Sequence, residues 1–154
     1  MKKLSAKGEA FTDLVLEVFR LNGLLLAAGD RLTSPVGLSS ARWQVLGVVE
    51  HGAIPVAHVA RIMGLTRQSV QQTADALERD GLIVYRDNPH HLRSKLMELT
   101  PKGREALDYV TERHSLWANE IGEKETEEAL RQTSSLLRRL AESLEQERCS
   151  YQED

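Results

Sequence analysis

Between Ala60 and Val70 the chain reads ARIMGLTRQSV, and three of these residues sit at a spacing that few folds satisfy. Two helices can cross closely only where a small residue lies at the contact, and Ala60 supplies it. The turn between them needs a residue that tolerates positive φ, and Gly64 follows four positions later. The second helix needs an aliphatic anchor against the first, and Val70 stands six positions further on. Val59, Met63 and Leu65 are placed to pack beside these three. The spacing predicts a helix-turn-helix.

The second helix of that pair carries an unusual polar face. In MGLTRQSVQQTADALERDGL, from Met63 to Leu82, the apolar residues Leu65, Val70, Ala74 and Leu77 cover one side. Arg67, Gln68, Ser69, Gln71, Gln72 and Thr73 fill the first two turns of the rest, and no acid appears before Asp75. Thr66 is the expected N-cap, its hydroxyl accepting an otherwise unpaired backbone N–H. Amides, hydroxyls and an arginine are the groups that read the edges of base pairs. Gln bridges adenine N6 and N7, Arg grips guanine O6 and N7, and Ser or Thr meets bases or phosphates. A helix N-terminus also favours phosphate. These residues are therefore the expected DNA-reading face.

Two alternating stretches follow, LIVYRDN (Leu82 to Asn88) and SKLMELT (Ser94 to Thr100), joined by PHHLR. They read as a β-hairpin, which makes the motif a winged helix. Arg93 near the tip is expected to enter the minor groove, where narrow A·T stretches concentrate negative potential. Arg86, His90 and Lys95 are expected to meet phosphates.

Helical periodicity organises the remainder. A first helix is predicted over about Lys7 to Leu26, with Phe11, Leu14, Val15, Val18, Leu21 and Leu25 on one face, and GDRLTSPVG (Gly29 to Gly37) is read as a loop. Ser39 or Ser40 caps a helix that ends near Glu50. Pro55 is expected at the first position of the short helix VAHVARIM. Thr100 and Pro101 open a helix bearing Leu107, Val110, His114, Trp117 and Ile121 on one side. A last helix, about Thr126 to Gln146, repeats Leu130, Thr133, Leu137, Leu140 and Leu144 in steps of three and four, the stripe of a seam with another helix. The tail RCSYQED is expected to fray. The fold class is mainly α with a small β-hairpin wing (α+β): a winged helix-turn-helix over residues 38–104, flanked by helical segments 5–30 and 101–147 in a single chain, 1–154. Those outer helices carry more apolar stripe than one small winged domain can cover.

A formal net charge of −3 argues at first against a polyanionic partner. Its distribution reverses the argument: residues 55–104 are net +3, while residues 105–154 are net −7. Binding to a polyanion depends on the local field. The longest apolar run, LLLAAG from Leu24 to Gly29, is far short of the roughly 18 residues that span a bilayer. The basic start is followed by Glu9 and Asp13 rather than by an apolar core with a cleavage site, so a signal peptide is not expected. The single Cys149 cannot form an intrachain disulfide, which fits a reducing cytosol, and it reads as a free surface thiol. No membrane partner, metal or other cofactor is expected. The histidines pair with no cysteine or carboxylate at zinc spacing, and no phosphate loop or nucleophile elbow is present. Enzymatic activity is not expected.

With those residues in place, the chain resembles the multiple-antibiotic-resistance regulator (MarR) family of winged-helix transcription factors, over roughly Ser39 to Ala106. RDNPHHLRSKLMELTPKGREAL is similar to the family's wing signature of acid-x-Arg-small-Lys followed by Leu-Thr-x-x-Gly, on which Arg93, Ser94, Lys95, Leu99, Thr100 and Gly103 fall. DALERDGLI resembles the approach to the first wing strand. One position departs: the usual acid two before the wing arginine is His91. The resemblance implies a cytoplasmic homodimer with intertwined terminal helices. It places two recognition helices in successive major grooves of a pseudo-palindromic operator of roughly 16–20 base pairs. It also implies a repressor relieved by a small aromatic or amphipathic ligand, for which Trp43, His114 and Trp117 are the candidate contacts, with Phe19 and Leu24 opposite. The competing readings are a winged helix that binds protein rather than DNA, and a constitutive DNA binder without a ligand.

Overall fold

The computed structural model describes residues 3–150, with side chains through Arg148. Helix α1 spans Ala6–Thr33 and is followed by a 3₁₀ turn, Ser34–Val36. Then come α2 (Ser40–Val49), β1 (Ile54–Pro55), α3 (Val56–Met63) and α4 (Arg67–Arg79). The wing strands are β2 (Ile83–Arg86) and β3 (Leu96–Leu99), and the chain ends in α5 (Pro101–Gly122) and α6 (Glu127–Ser150). The mainly α class with a hairpin wing stands.

Contacts divide the chain into two units after Arg113. In the first, α2, α3, α4, the sheet and the start of α5 enclose one core. Val45, Leu46, Val59, Val70, Ala74, Leu77, Ile83, Met97 and Val110 are essentially inaccessible. Residues from four helices and the hairpin meet there, so the positions of α4 and the wing are set by common packing.

Several boundaries differ from expectation. The predicted loop at Gly29 is helical, because Gly29 serves close packing and not a turn. Ser40 Oγ donates to the Leu26 carbonyl at 2.6 Å and its N–H to Asp30 Oδ1 at 2.7 Å, pressing α2 against α1. A Cβ at residue 29 would overlap that hydroxyl. Of the two candidate caps, Ser39 accepts from Arg42 N–H at 3.3 Å, while Ser40 is the buried tie. Pro55 is the N-cap of α3, one position earlier than expected, since it also belongs to β1. That two-residue strand pairs with β3 (Ile54 opposite Met97) and turns the expected hairpin into a three-stranded antiparallel sheet in the order β1-β3-β2. Two residues cannot display an alternating pattern, so nothing in the sequence marked them.

Helix α5 opens as predicted. Thr100 Oγ1 accepts from Gly103 N–H at 3.0 Å and donates to the Gly81 carbonyl at 2.7 Å. A Cβ at residue 103 would collide with the Leu82 carbonyl. The Leu-Thr-x-x-Gly run is thus a joint that seats α5 on the strand before it. In the second unit α6 is capped by Thr126, which accepts from Ala129 N–H at 3.1 Å. The helix continues through Arg148 to Ser150, where fraying was expected. The Cys149 side chain and residues 151–154 lie outside the described residues. Among the described residues no helix is long and apolar enough to cross a membrane.

Candidate nucleic-acid interface

The turn between α3 and α4 is built as its spacing requires. Gly64 takes the left-handed conformation, φ 65°. Leu65 N–H then closes on the Ala60 carbonyl at 2.9 Å. Ala60 and Val70 are buried, as are Val59, Ala74 and Leu77, and Met63 packs half-buried against them. Leu65 departs from expectation. It is 46% exposed, because the turn carries it past the contact before α4 begins.

Thr66 caps α4 by accepting from Ser69 N–H at 3.1 Å. Arg67, Gln68, Ser69 and Gln72 are exposed along the first two turns, as a reading face requires. Two of the expected readers are engaged within the chain. The Thr73 hydroxyl donates back to the Ser69 carbonyl at 3.2 Å. Gln71 is half-buried, and its amide nitrogen donates both to Asp75 Oδ1 at 2.8 Å and to the Tyr85 hydroxyl at 3.0 Å. Tyr85, on β2, closes the triangle by donating to the same Asp75 oxygen at 2.8 Å. Burial, and then the Asp75 carboxylate, push the Tyr85 phenol well above its ordinary value, so it remains an O–H donor.

The wing is a four-residue ladder, Ile83 opposite Leu99 through Arg86 opposite Leu96. With His91 where an acid is usual, its loop is shaped by Asn88. The Asn88 side chain accepts from His90 N–H at 3.0 Å, and its carbonyl accepts from His91 N–H at 3.1 Å. His91 in turn accepts from Ser94 N–H at 3.0 Å. His90, Arg93 and Lys95 are exposed. Arg86 forms a solvent-facing ion pair with Glu98 at 3.6 Å, a contact of little energetic weight that an anion can displace.

Recognition helix and wing face one another across a cleft of about 530 Å³, lined among others by His58 and Arg61 of α3, Arg67 of α4, and His91 and Arg93 of the wing. A second hollow of about 340 Å³ adds Lys95, Gln71 and Tyr85 to Arg67 and Arg93. Neither lining contains a carboxylate. Guanidinium groups from three separate elements thus converge beside the N-terminus of α4, a concave field suited to a polyanion. His58 and Arg61 were missed by sequence reasoning, although their spacing of three puts them on one side of VAHVARIM. Asp75 and Tyr85 were missed because their link spans ten residues and two elements.

The ligand candidates fall in separate units. Trp43 packs half-buried against the core of the first unit. His114 and Trp117 lie on α5 in the second, their rings in a tilted contact with centroids 5.8 Å apart and planes at 46°. Among the described residues no group of three or more His, Cys, Asp or Glu side chains could hold a metal ion.

A helix-turn-helix with a basic wing on a shared core defines a winged-helix nucleic-acid-binding protein. The MarR family profile matches residues 36–94. An uncharacterized protein of Mycobacterium tuberculosis is 41% identical over 135 residues, covering 88% of this chain and 94% of its own length. The transcriptional activatory protein BadR of Rhodopseudomonas palustris is 25% identical over 111 residues, covering 70% of this chain and 63% of BadR. Among solved structures, CouR from Rhodococcus jostii, bound to p-coumaroyl-CoA, superposes with a TM-score of 0.75 at 27% identity, covering 84% of this chain and 92% of CouR. A MarR family regulator, SP03579, superposes at 0.77 with 19% identity over 91% and 93% of the two chains, a likeness of fold. The chain belongs to the MarR family of transcription regulators, and DNA binding by a winged helix is the function that membership carries.

Proposed function

We propose that this protein is a homodimeric, sequence-specific repressor that grips a pseudo-palindromic operator and lets go when a small aromatic or amphipathic molecule binds. The observation that carries the reading is the convergence of Arg61, Arg67 and Arg93 beside the exposed amide and hydroxyl face of α4. In this reading Thr66 and the α4 N-terminus meet phosphate, and Arg67, Gln68, Ser69, Gln71, Gln72 and Thr73 face the major groove. Arg93 enters the minor groove, and Arg86, His90 and Lys95 hold the backbone. Residues 38–104 form the DNA-binding lobe.

Dimerisation is assigned to residues 5–30 and 101–147. Phe19, Leu21 and Leu24 on α1 are each more than half exposed, as are Leu116 on α5 and Leu144 on α6. Leaving that much apolar surface in water is unfavourable, by roughly 25 cal/mol for each Å². A second copy is the partner that would cover it. Ligand relief is supported by CouR, whose structure holds p-coumaroyl-CoA. Trp43, His114 and Trp117 are the residues whose substitution should alter a ligand response.

Fluorescence anisotropy with the DNA upstream of the protein's own coding sequence tests the reading. Specific binding should weaken steeply between about 50 and 200 mM salt, because phosphate neutralisation releases counterions. Binding that is absent, or indifferent to salt, would favour the protein-interaction alternative. Deleting the coding sequence should raise expression from the bound promoter, whereas a fall would make the protein an activator, as BadR is named.

A further inference from the structure

The Gln71–Asp75–Tyr85 triangle fixes which end of an amide faces the cleft. A glutamine on a reading helix ordinarily has two N–H donors and one carbonyl acceptor, and it can turn either toward a base. Here both donors are spent inside the protein, on Asp75 Oδ1 and the Tyr85 hydroxyl. The hydroxyl can accept from Gln71 because its own hydrogen goes to Asp75. Asp75 is an acceptor only, so the ring of bonds has one direction. Reversing the amide would set the Gln71 carbonyl against the Asp75 carboxylate, acceptor against acceptor. What remains for an outside partner is Gln71 Oε1, beside Arg67 and Arg93 in the smaller hollow.

An acceptor-only group reads DNA differently from a free amide. On one strand of the major groove, adenine N6 and cytosine N4 offer amino hydrogens, whereas guanine O6 and thymine O4 offer carbonyl oxygens. We infer that Tyr85 and Asp75 are positioning residues that lock Gln71 as an acceptor-only reader, so that one position in each operator half-site takes an amino base and rejects a keto base. This inference rests on the DNA-binding reading above. It replaces the bidentate adenine contact expected of a free glutamine with an A-or-C preference.

Selection of bound fragments from a randomised duplex pool tests it, with wild-type protein, Gln71→Ala, Tyr85→Phe and Asp75→Asn in parallel. Gln71→Ala identifies the position, by abolishing preference there. At that position wild type should favour adenine and cytosine over guanine and thymine by about tenfold. Tyr85→Phe removes the hydroxyl that both receives and gives a hydrogen bond, and Asp75→Asn removes the fixed acceptor. Each should bring the keto bases to within about threefold of the amino bases at that position, with preferences elsewhere retained. A wild-type preference for adenine alone would overturn the inference. So would an unchanged preference at that position in both variants, or a loss spread evenly over every position. Melting curves show which variants are folded, and either alone suffices for the test. If wild type selects no sequence at all, it is the DNA-binding reading that fails, an outcome distinct from selection without the amino-base signature.

Discussion

Leu46 and Leu24 are the same side chain in opposite circumstances. Leu46, on α2, is fully buried, while Leu24, on α1, is 60% exposed. The contrast extends to their surroundings. Around Leu46 the apolar residues of α2, α3, α4 and the sheet satisfy one another, and the result is a lobe whose shape one chain can settle. Along α1, Phe11, Leu16, Phe19, Leu21, Leu25 and Leu26 leave much of their surface open. The helical pattern is as regular there as in the core, so periodicity predicts that a helix forms and not what covers it. Burial in the lobe orients α4 and the wing; exposure in the arm calls for a second surface.

The largest effect should separate the two regions. Leu46→Ala should destabilise the protein by about 2–5 kcal/mol, through lost transfer energy and the cavity left behind, with a shift in the denaturation midpoint that does not depend on protein concentration. Leu24→Ala should weaken self-association in sedimentation experiments while changing the stability of the dissociated chain by no more than about 0.5 kcal/mol. Equal, concentration-independent losses at both sites would erase the distinction.

The joint beneath the wing gives the next effect. Gly103→Ala should cost about 1–3 kcal/mol in thermal unfolding, because α5 must back away from the Leu82 carbonyl. If α5 tolerates alanine there with no change, close approach is not what the Leu-Thr-x-x-Gly run provides. On the reading surface the fold should be untouched. Arg93→Ala and Gln72→Ala should each leave the melting temperature unchanged and cost about 1–3 kcal/mol of operator binding. The Gln72 loss should be confined to one base pair, which competition with single-base operator variants would resolve.

The smallest effect concerns pH. The Tyr85 phenol has a raised folded-state value, so the stability it contributes is fully present below its unfolded value of about 10 and is lost as pH climbs through the higher folded value. Wild type should therefore lose stability at the alkaline end faster than Tyr85→Phe. Matching alkaline profiles would mean that the phenol is not held by Asp75 in solution.

What could be read from the sequence, and what could not, follows the range of the interactions. Ala60, Gly64, Val70 and the Thr66 cap were legible because each answers a constraint within a turn or two. Thr100 and Gly103 were legible as a motif, though their purpose is a contact with Gly81 and Leu82 some twenty residues earlier. Gly29 opens a stretch that reads as a loop, because a packing glycine and a loop glycine look alike until the neighbour is known, and that neighbour, Ser40, is eleven residues away. Gln71 was read by residue type, as a free amide. Its partner Tyr85 belongs to a strand fourteen residues on, and no local pattern joins them. Arg61 and His58 were overlooked because a short helix was judged by its buried side.

Whether two copies present α4 and wing to one duplex is decided by a hydroxyl-radical footprint on the selected operator. Two matching patches of protection should appear with their centres about 10–10.5 base pairs apart, flanked by minor-groove protection that disappears in Arg93→Ala. A single patch, or a spacing that leaves the two copies on opposite faces of the helix, would contradict that arrangement.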